Sequence, residues 1–124
     1  MNKKSILIVE DSPYLAESLV DMMNIEGHET TVANNGRDAI TKAIDKKPDL
    51  IILDIQLPDI DGYDVYHTIR KDSWGKNANV LILTASESAK NIVKNVDLPS
   101  EKILFKPDWS APDLVKKINS VLED

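Results

Sequence analysis

Asp49-Leu50-Ile51-Ile52-Leu53-Asp54-Ile55-Gln56-Leu57-Pro58-Asp59-Ile60-Asp61-Gly62 is the stretch that sets the frame for the whole chain. Leu50 to Leu53 are four apolar residues in a row, the pattern of a strand buried on both faces. That strand ends on a carboxylate, Asp54, and Pro58 and Gly62 then mark a tight, shaped loop. A buried strand thus delivers one acid to an edge of the fold. From this stretch alone Asp54 can be a helix cap, a metal ligand or a nucleophile.

Working outward, the same unit recurs. Ser5 to Val9 reads as a strand ending on Glu10-Asp11, and Ser12-Pro13 supplies an N-cap and a first-turn proline for a helix carrying Leu15, Leu19, Met22 and Met23. Gly27 suits the end of that helix. His28 to Ala33 is a more polar strand, expected at a sheet edge. Asn34-Asn35-Gly36 is a turn before a second helix with Ala39, Ile40, Ala43 and Ile44 on one face, stopped by Lys46-Lys47-Pro48. Gly62 opens a third helix with Val65, Tyr66 and Ile69. Asn79 to Thr84 is a fourth strand. Ser86 is placed to cap a fourth helix with Ile92, Val93 and Val96, and Pro99 ends it. Lys102 to Phe105 is a fifth strand followed by Lys106-Pro107. Ser110 to Asp113 resembles a capping box for a last helix built on Leu114, Val115, Ile118, Val121 and Leu122.

Strand and helix therefore alternate five times. Such alternation implies right-handed βαβ crossovers and a parallel sheet covered on both faces. The expected fold is an α/β, flavodoxin-like three-layer sandwich, with five parallel strands in the order 2-1-3-4-5 and five helices. At 124 residues the chain is expected to form a single domain over 1–124.

Composition narrows the function classes. The chain is 42% hydrophobic and 29% charged, an ordinary globular balance. A net charge of −6 argues against direct nucleic-acid contact. The absence of cysteine excludes disulfides and thiolate metal sites. The longest apolar runs fall far short of the roughly 20 residues that span a bilayer, and Ile6 to Val9 is too short for a signal peptide. No membrane association is expected, and the expected location is the cytoplasm.

Ligands of open parallel sheets bind at the carboxyl ends of the strands. The residues there are Glu10 and Asp11, Asp54, Thr84 and Lys106. Three clustered acids repel one another unless a cation joins them. All-oxygen ligands without His or Cys point to Mg²⁺, which favours sites shared between carboxylates and phosphate oxygens. Lys106 and Thr84 can then hold a phosphoryl oxygen, and an aspartate beside the ion is a plausible covalent acceptor. Each residue alone has a plainer reading: helix-terminal charge for Glu10-Asp11, a turn for Asp54, an ordinary strand end for Thr84 and Lys106. The joint pattern carries the functional one. His28, His67, Trp74 and Trp109 read as packing or surface residues, and Met22-Met23 as core.

Ile6 to Ser12, Asp54 to Gly62, Thr84-Ala85 and Lys106-Pro107 together resemble the receiver domain of two-component response regulators, of the chemotaxis-receiver type, over the whole chain. The resemblance implies that Asp54 is the aspartate phosphorylated by a histidine kinase or phosphotransfer protein. It implies Asp11, Asp54 and the backbone carbonyl of Gln56 as Mg²⁺ ligands, with Glu10 reaching the ion through water. Thr84 matches the hydroxyl that moves to the phosphoryl group and Lys106 the lysine that contacts it. Pro58 and Gly62 shape the loop, Gln56 and Ser86 tune acyl-phosphate lifetime, and a cis peptide is expected at Lys106-Pro107. Such a domain modifies itself and is not a turnover enzyme.

The sequence also departs from the family. The aromatic that usually lies three residues before the lysine is Ile103 here, and Phe105 shares its strand face without matching its position. Pro99-Ser100 and Asp108-Trp109 replace more usual residues nearby. Phosphorylation chemistry is therefore expected intact and output coupling atypical. The output protein is not legible. A stand-alone or relay receiver is the favoured expectation over the N-terminal part of a longer regulator, and a dimer formed on phosphorylation remains open. Two rival readings are a pseudo-receiver that is never phosphorylated and a Mg²⁺-dependent aspartyl phosphatase. The phosphatase wants an acid where Gln56 stands. A flavodoxin would need hydroxyls and glycine where Glu10-Asp11 would repel phosphate.

Overall fold

The computed structural model describes residues 3–85 and 96–123. Five strands, β1 (Ser5–Val9), β2 (Glu29–Ala33), β3 (Leu50–Leu53), β4 (Val80–Thr84) and β5 (Ile103–Phe105), form one sheet in the order β2-β1-β3-β4-β5. Every pairing is parallel. The described helices are α1 (Pro13–Ile25), α2 (Gly36–Lys46), α3 (Gly62–Lys71) and α4 (Ala111–Glu123). The helix expected between β4 and β5, with Ser86, Ile92 and Val93, falls on residues 86–95, outside the described residues.

Period-two alternation along the strands divides the core into two layers. Leu7, Val9, Ile51, Leu53, Val80 and Ile82 face α2 and α3, meeting Ala39, Ala43, Val65, Tyr66 and Ile69. Ile6, Ile8, Leu50, Ile52, Leu81 and Leu83 face the other way, onto Leu19 and Met23 of α1 and Leu114, Ile118 and Val121 of α4. A strand covered on both faces has no polar side, which is why β1, β3 and β4 read as unbroken apolar runs. β2 lies at the edge, and its Thr30, Thr31 and Val32 are only half-buried.

Local signals set the helix boundaries. Ser12 Oγ accepts from Leu15 N and Pro13 opens α1. Gly27, with φ of +84°, takes the left-handed position that follows α1. Asn35 caps α2 through Asp38 N at 2.8 Å, and Asp61 caps α3 through Tyr63 N at 3.0 Å. Ser110 accepts from Asp113 N at 3.3 Å at the start of α4. Among the described residues no helix is long and apolar enough to cross a membrane.

One expectation is corrected. Among the described residues no peptide bond is cis, so Lys106-Pro107 is trans. Lys106–Asp108 instead wind as a single 3₁₀ turn, with Trp109 N donating to Lys106 O at 3.1 Å. The fixed φ of Pro107 suits the interior of that turn, so the chain leaves β5 by winding. His28 is also more than a packing residue. It is buried, its Nδ1 accepts from Lys4 N at 3.3 Å, and its Nε2 lies 3.2 Å from Asn119 Oδ1 on α4. Asn119 in turn donates to Glu26 at 2.7 Å.

Candidate functional site

The sheet ladder carries the acids to one edge. Asp54 N donates to Val9 O at 3.1 Å, and Glu10 N donates to Ala33 O at 3.0 Å. These bonds extend the parallel pairing one residue past the strands and set Glu10 and Asp54 level with each other. Asp11 follows at the surface. One carboxylate oxygen from each of Glu10, Asp11 and Asp54 lies within 4.8 Å of the others. Glu10 and Asp54 are buried and Asp11 is exposed, so the cluster opens to solvent on Asp11's side.

Lys106 enters the same cluster from the turn after β5. Its Nζ donates to Glu10 Oε1 at 2.5 Å and to Asp54 Oδ2 at 3.4 Å. The remaining oxygens are held by backbone: Glu10 Oε2 accepts from Ser12 N at 3.2 Å, and Asp54 Oδ1 accepts from Gln56 N at 3.1 Å. The lysine therefore sits closer to Glu10 than to Asp54, a pairing that the order of strand ends does not dictate.

The electrostatics follow from one cation shared by two buried acids. Burial pushes the Glu10 carboxyl above its ordinary range. The Lys106 hydrogen bond and charge draw it part of the way back, and the Asp54 charge adds to the rise. Burial works against the Lys106 ammonium too, but Glu10 and Asp54 outweigh it and hold the lysine above its usual range. Residual negative charge in a pocket open at Asp11 is the condition under which a hard divalent cation binds. The donor set is oxygen throughout, which fits Mg²⁺.

The other expected residues lie on β4, on β5 and in the segments that follow β3 and β5. Thr84 is buried at the end of β4, in register with Phe105 on β5. Ile103 is half-buried, in register with Ile82, and packs with Phe105 against the core layer under α2 and α3. Trp109 packs against the opposite layer, under α1 and α4. Pro58 is exposed in the loop. Gly62 N donates to Ile55 O at 3.0 Å, and a Cβ on Gly62 would lie 2.4 Å from Ile55 Cα. Only glycine lets the loop close on itself there. Pro107 lies in the 3₁₀ turn beside Lys106.

One residue of this loop was not singled out from sequence. Asp59 Oδ1 accepts from Gly36 N at 2.7 Å and Oδ2 from Arg37 N at 2.9 Å, tying the loop to the first turn of α2. Loss of water around it works upward on the Asp59 carboxyl, but the N–H groups of Arg37, Gly36 and Ile60 together hold it below its ordinary value. The only trace in sequence was an acid in a loop facing a turn that ends in Gly36.

The response regulator receiver domain family matches residues 6–119. The chain is 36% identical over 121 residues to the transcriptional regulatory protein PcoR of Escherichia coli, covering 94% of this chain and 50% of PcoR. It is 32% identical over 118 residues to the probable transcriptional regulatory protein TcrX of Mycobacterium tuberculosis, covering 95% and 49%. The chain thus spans about half the length of the curated relatives it matches. Among solved structures, the receiver domain of sensor histidine kinase PA1611 from Pseudomonas aeruginosa, with magnesium coordinated in its active-site cleft, superposes with a TM-score of 0.86 at 25% identity, covering 99% of this chain and 100% of that one. The signal receiver domain of a putative LuxO repressor from Vibrio parahaemolyticus gives 0.81 at 32% identity, covering 98% and 92%. On its sequence, its strand order and the acids at its sheet edge, the chain belongs to the response regulator receiver domain family.

Proposed function

We propose that this chain is a phosphoacceptor: Asp54 takes a phosphoryl group from a phosphohistidine on a histidine kinase or phosphotransfer protein. The observation that carries this reading is the convergence of Glu10, Asp11, Asp54 and Lys106 at one sheet edge. An Asp54 oxygen attacks phosphorus, the O–P bond forms and the P–N bond to the histidine breaks. The departing imidazole takes a proton from solvent. Asp11, Asp54 and the Gln56 carbonyl would hold Mg²⁺, with Glu10 bound through water. The ion would supply positive charge to the phosphoryl oxygens.

The chain's own residues do the rest. Lys106 exchanges its bond to Glu10 for one to a phosphoryl oxygen, a stronger acceptor carrying more charge. Thr84 is the hydroxyl placed to turn toward that group. The new partners bias a two-state equilibrium that reaches β4 and β5. Attack of water on phosphorus then breaks the Asp54 O–P bond, releases inorganic phosphate and returns Asp54 to a free carboxylate, with Gln56 beside the path. This is self-modification rather than turnover of a substrate. The cytoplasm, where kinases of this class act, is the proposed location, and residues 1–124 are proposed to work as one receiver unit. Output is through protein contact, either with a separate partner or with a further segment of a longer chain, since this chain spans about half the length of the relatives above; reading the native frame past Asp124 distinguishes the two.

Incubation with acetyl phosphate and Mg²⁺ tests the reading by intact-mass shift. Wild type is expected to gain one phosphoryl group, and Asp54→Ala none. Labelling of Asp54→Ala to the wild-type level removes the assignment. A wild type that neither binds Mg²⁺ nor labels favours the pseudo-receiver.

A further inference from the structure

We infer that Asp59 is a positioning residue for the metal centre, acting by pinning the loop that carries Gln56 to the first turn of α2; the inference rests on the proposed Mg²⁺ site. The argument starts from what holds that loop. Its base is closed by the bond from Gly62 N to Ile55 O, where Gly62 packs directly on the Ile55 backbone. Gln56, whose carbonyl is the proposed ligand, is the first residue inside the closed ring. Its N–H is spent on Asp54 Oδ1. The far side of the ring is held by Asp59, both of whose oxygens accept backbone N–H groups more than 20 residues away in sequence, on α2.

The α2 end is built to receive it. The first N–H groups of a helix have no partner within the helix. Here Asn35 Oδ1 takes Asp38 N and Asn35 O takes Ala39 N, which leaves the N–H groups of Gly36 and Arg37 to Asp59. The helix dipole adds to the attraction for a carboxylate at this end. Gly36 completes the fit: a Cβ there would stand 2.3 Å from Ile60 Cγ1 and 2.8 Å from Val65 Cγ2, so the helix start rests against the residue next to Asp59. Asp59 is itself exposed, so core burial does not explain its position. Its two charge-assisted bonds do, and their mechanical effect falls on a short closed ring with Gln56 at one side and Asp59 at the other. Outer contacts that orient a ligand usually change metal affinity by about 10–100-fold when removed.

Calorimetric titration of the full chain with Mg²⁺, and with Mn²⁺ followed by electron paramagnetic resonance, tests this. Asp59→Ala is expected to weaken binding about tenfold. Asp59→Asn keeps an acceptor for one of the two N–H groups and is expected to be intermediate, about threefold. Hydrogen exchange at the amides of Gly36 and Arg37 should quicken in the same order. Equal losses in both variants would trace to removed charge rather than position and would overturn the inference, as would Asp59→Ala binding within twofold of wild type with only a lowered melting temperature. Failure of the wild type itself to take up either ion strikes the proposed metal site instead. If the alanine variant does not fold, wild-type affinity in Asp59→Asn overturns the inference and a threefold loss with faster exchange at both amides supports it.

Discussion

Lys106→Met isolates the charge balance of the site. Methionine keeps an unbranched apolar stem and removes the ammonium that lies 2.5 Å from Glu10 and 3.4 Å from Asp54. Glu10 and Asp54 have side chains only 3% and 7% exposed, so two carboxylates are left buried without a cation. Breaking a buried pair in this way costs about 3–5 kcal/mol. The Lys106 side chain is 18% exposed and water reaches the cluster past Asp11, which places the cost near the lower end, about 3 kcal/mol. In a domain of this size that corresponds to a fall in melting temperature of roughly 10 °C at pH 7.5 without divalent ions. The pH dependence has a definite sign. In the variant the folded-state Glu10 carboxyl rises further above its ordinary 4.5, because burial remains and the lysine no longer draws it down. Between those two values the folded chain holds a proton that the unfolded chain lacks, so stability increases as pH falls. The gap to wild type should therefore narrow as pH falls from 7.5 toward 5. Excess Mg²⁺ should narrow it at pH 7.5 as well. Calorimetry at pH 7.5 and 5, with EDTA or Mg²⁺, reads all of this. A variant as stable as wild type at pH 7.5, or a loss that does not change with pH, would refute the argument.

Two further perturbations probe other parts of the fold. Gly62→Ala should lower stability by about 2 kcal/mol, as strain at a backbone that cannot yield, and should slow acetyl phosphate labelling as the loop opens; urea denaturation and intact mass check the two effects. His28→Leu should cost about 1–2 kcal/mol by leaving Lys4 N and Asn119 Oδ1 without partners, while labelling of Asp54 stays at the wild-type rate, because His28 lies at the opposite end of the strands from the site.

The fold was legible because its three central strands are buried on both faces. Leu50 to Leu53 admits no solvent side, and that burial requires helices above and below, which the spacing of Ala39 and Ala43, or Leu114, Ile118 and Val121, independently supplies. β1 and β3 were found to the residue. The starts of β2, β4 and β5 each fall one residue later than the sequence suggests, although Asn79 O still accepts from Ile51 N at 2.9 Å. His28 reads as strand because it adjoins the run with Thr30, Thr31 and Val32, but its backbone closes α1, its N–H donating to Met23 O at 3.0 Å. Lys102 was read as strand because it precedes an apolar run, but Pro99 starts a 3₁₀ turn that takes it in. At β2 and β5 a capping bond outcompetes a ladder bond, and local composition does not encode that competition.

At the site, the sequence told which residues arrive at the sheet edge and left open how they pair. Alternation of strand and helix implies a flavodoxin-like fold, and that fold carries a strand order, so Glu10, Asp54, Thr84 and Lys106 could be assigned to one sheet edge without coordinates. Pairing depends on the direction of each chain as it leaves its strand. The trans Lys106-Pro107 bond and the 3₁₀ turn that follows accompany a lysine whose ammonium lies closest to Glu10, and the expected cis bond gave no account of that arrangement. The same exit places Trp109 against the α1 and α4 layer while Ile103 and Phe105 face the α2 and α3 layer. Lys106 therefore stands between the two halves of the core, with Trp109 N bonded to its carbonyl and its side chain on the acids. Ile103, lacking a polar tip, has no hydrogen bond to exchange at the usual aromatic position. Through its own backbone, Lys106 joins the acid cluster to the turn that leads into Trp109.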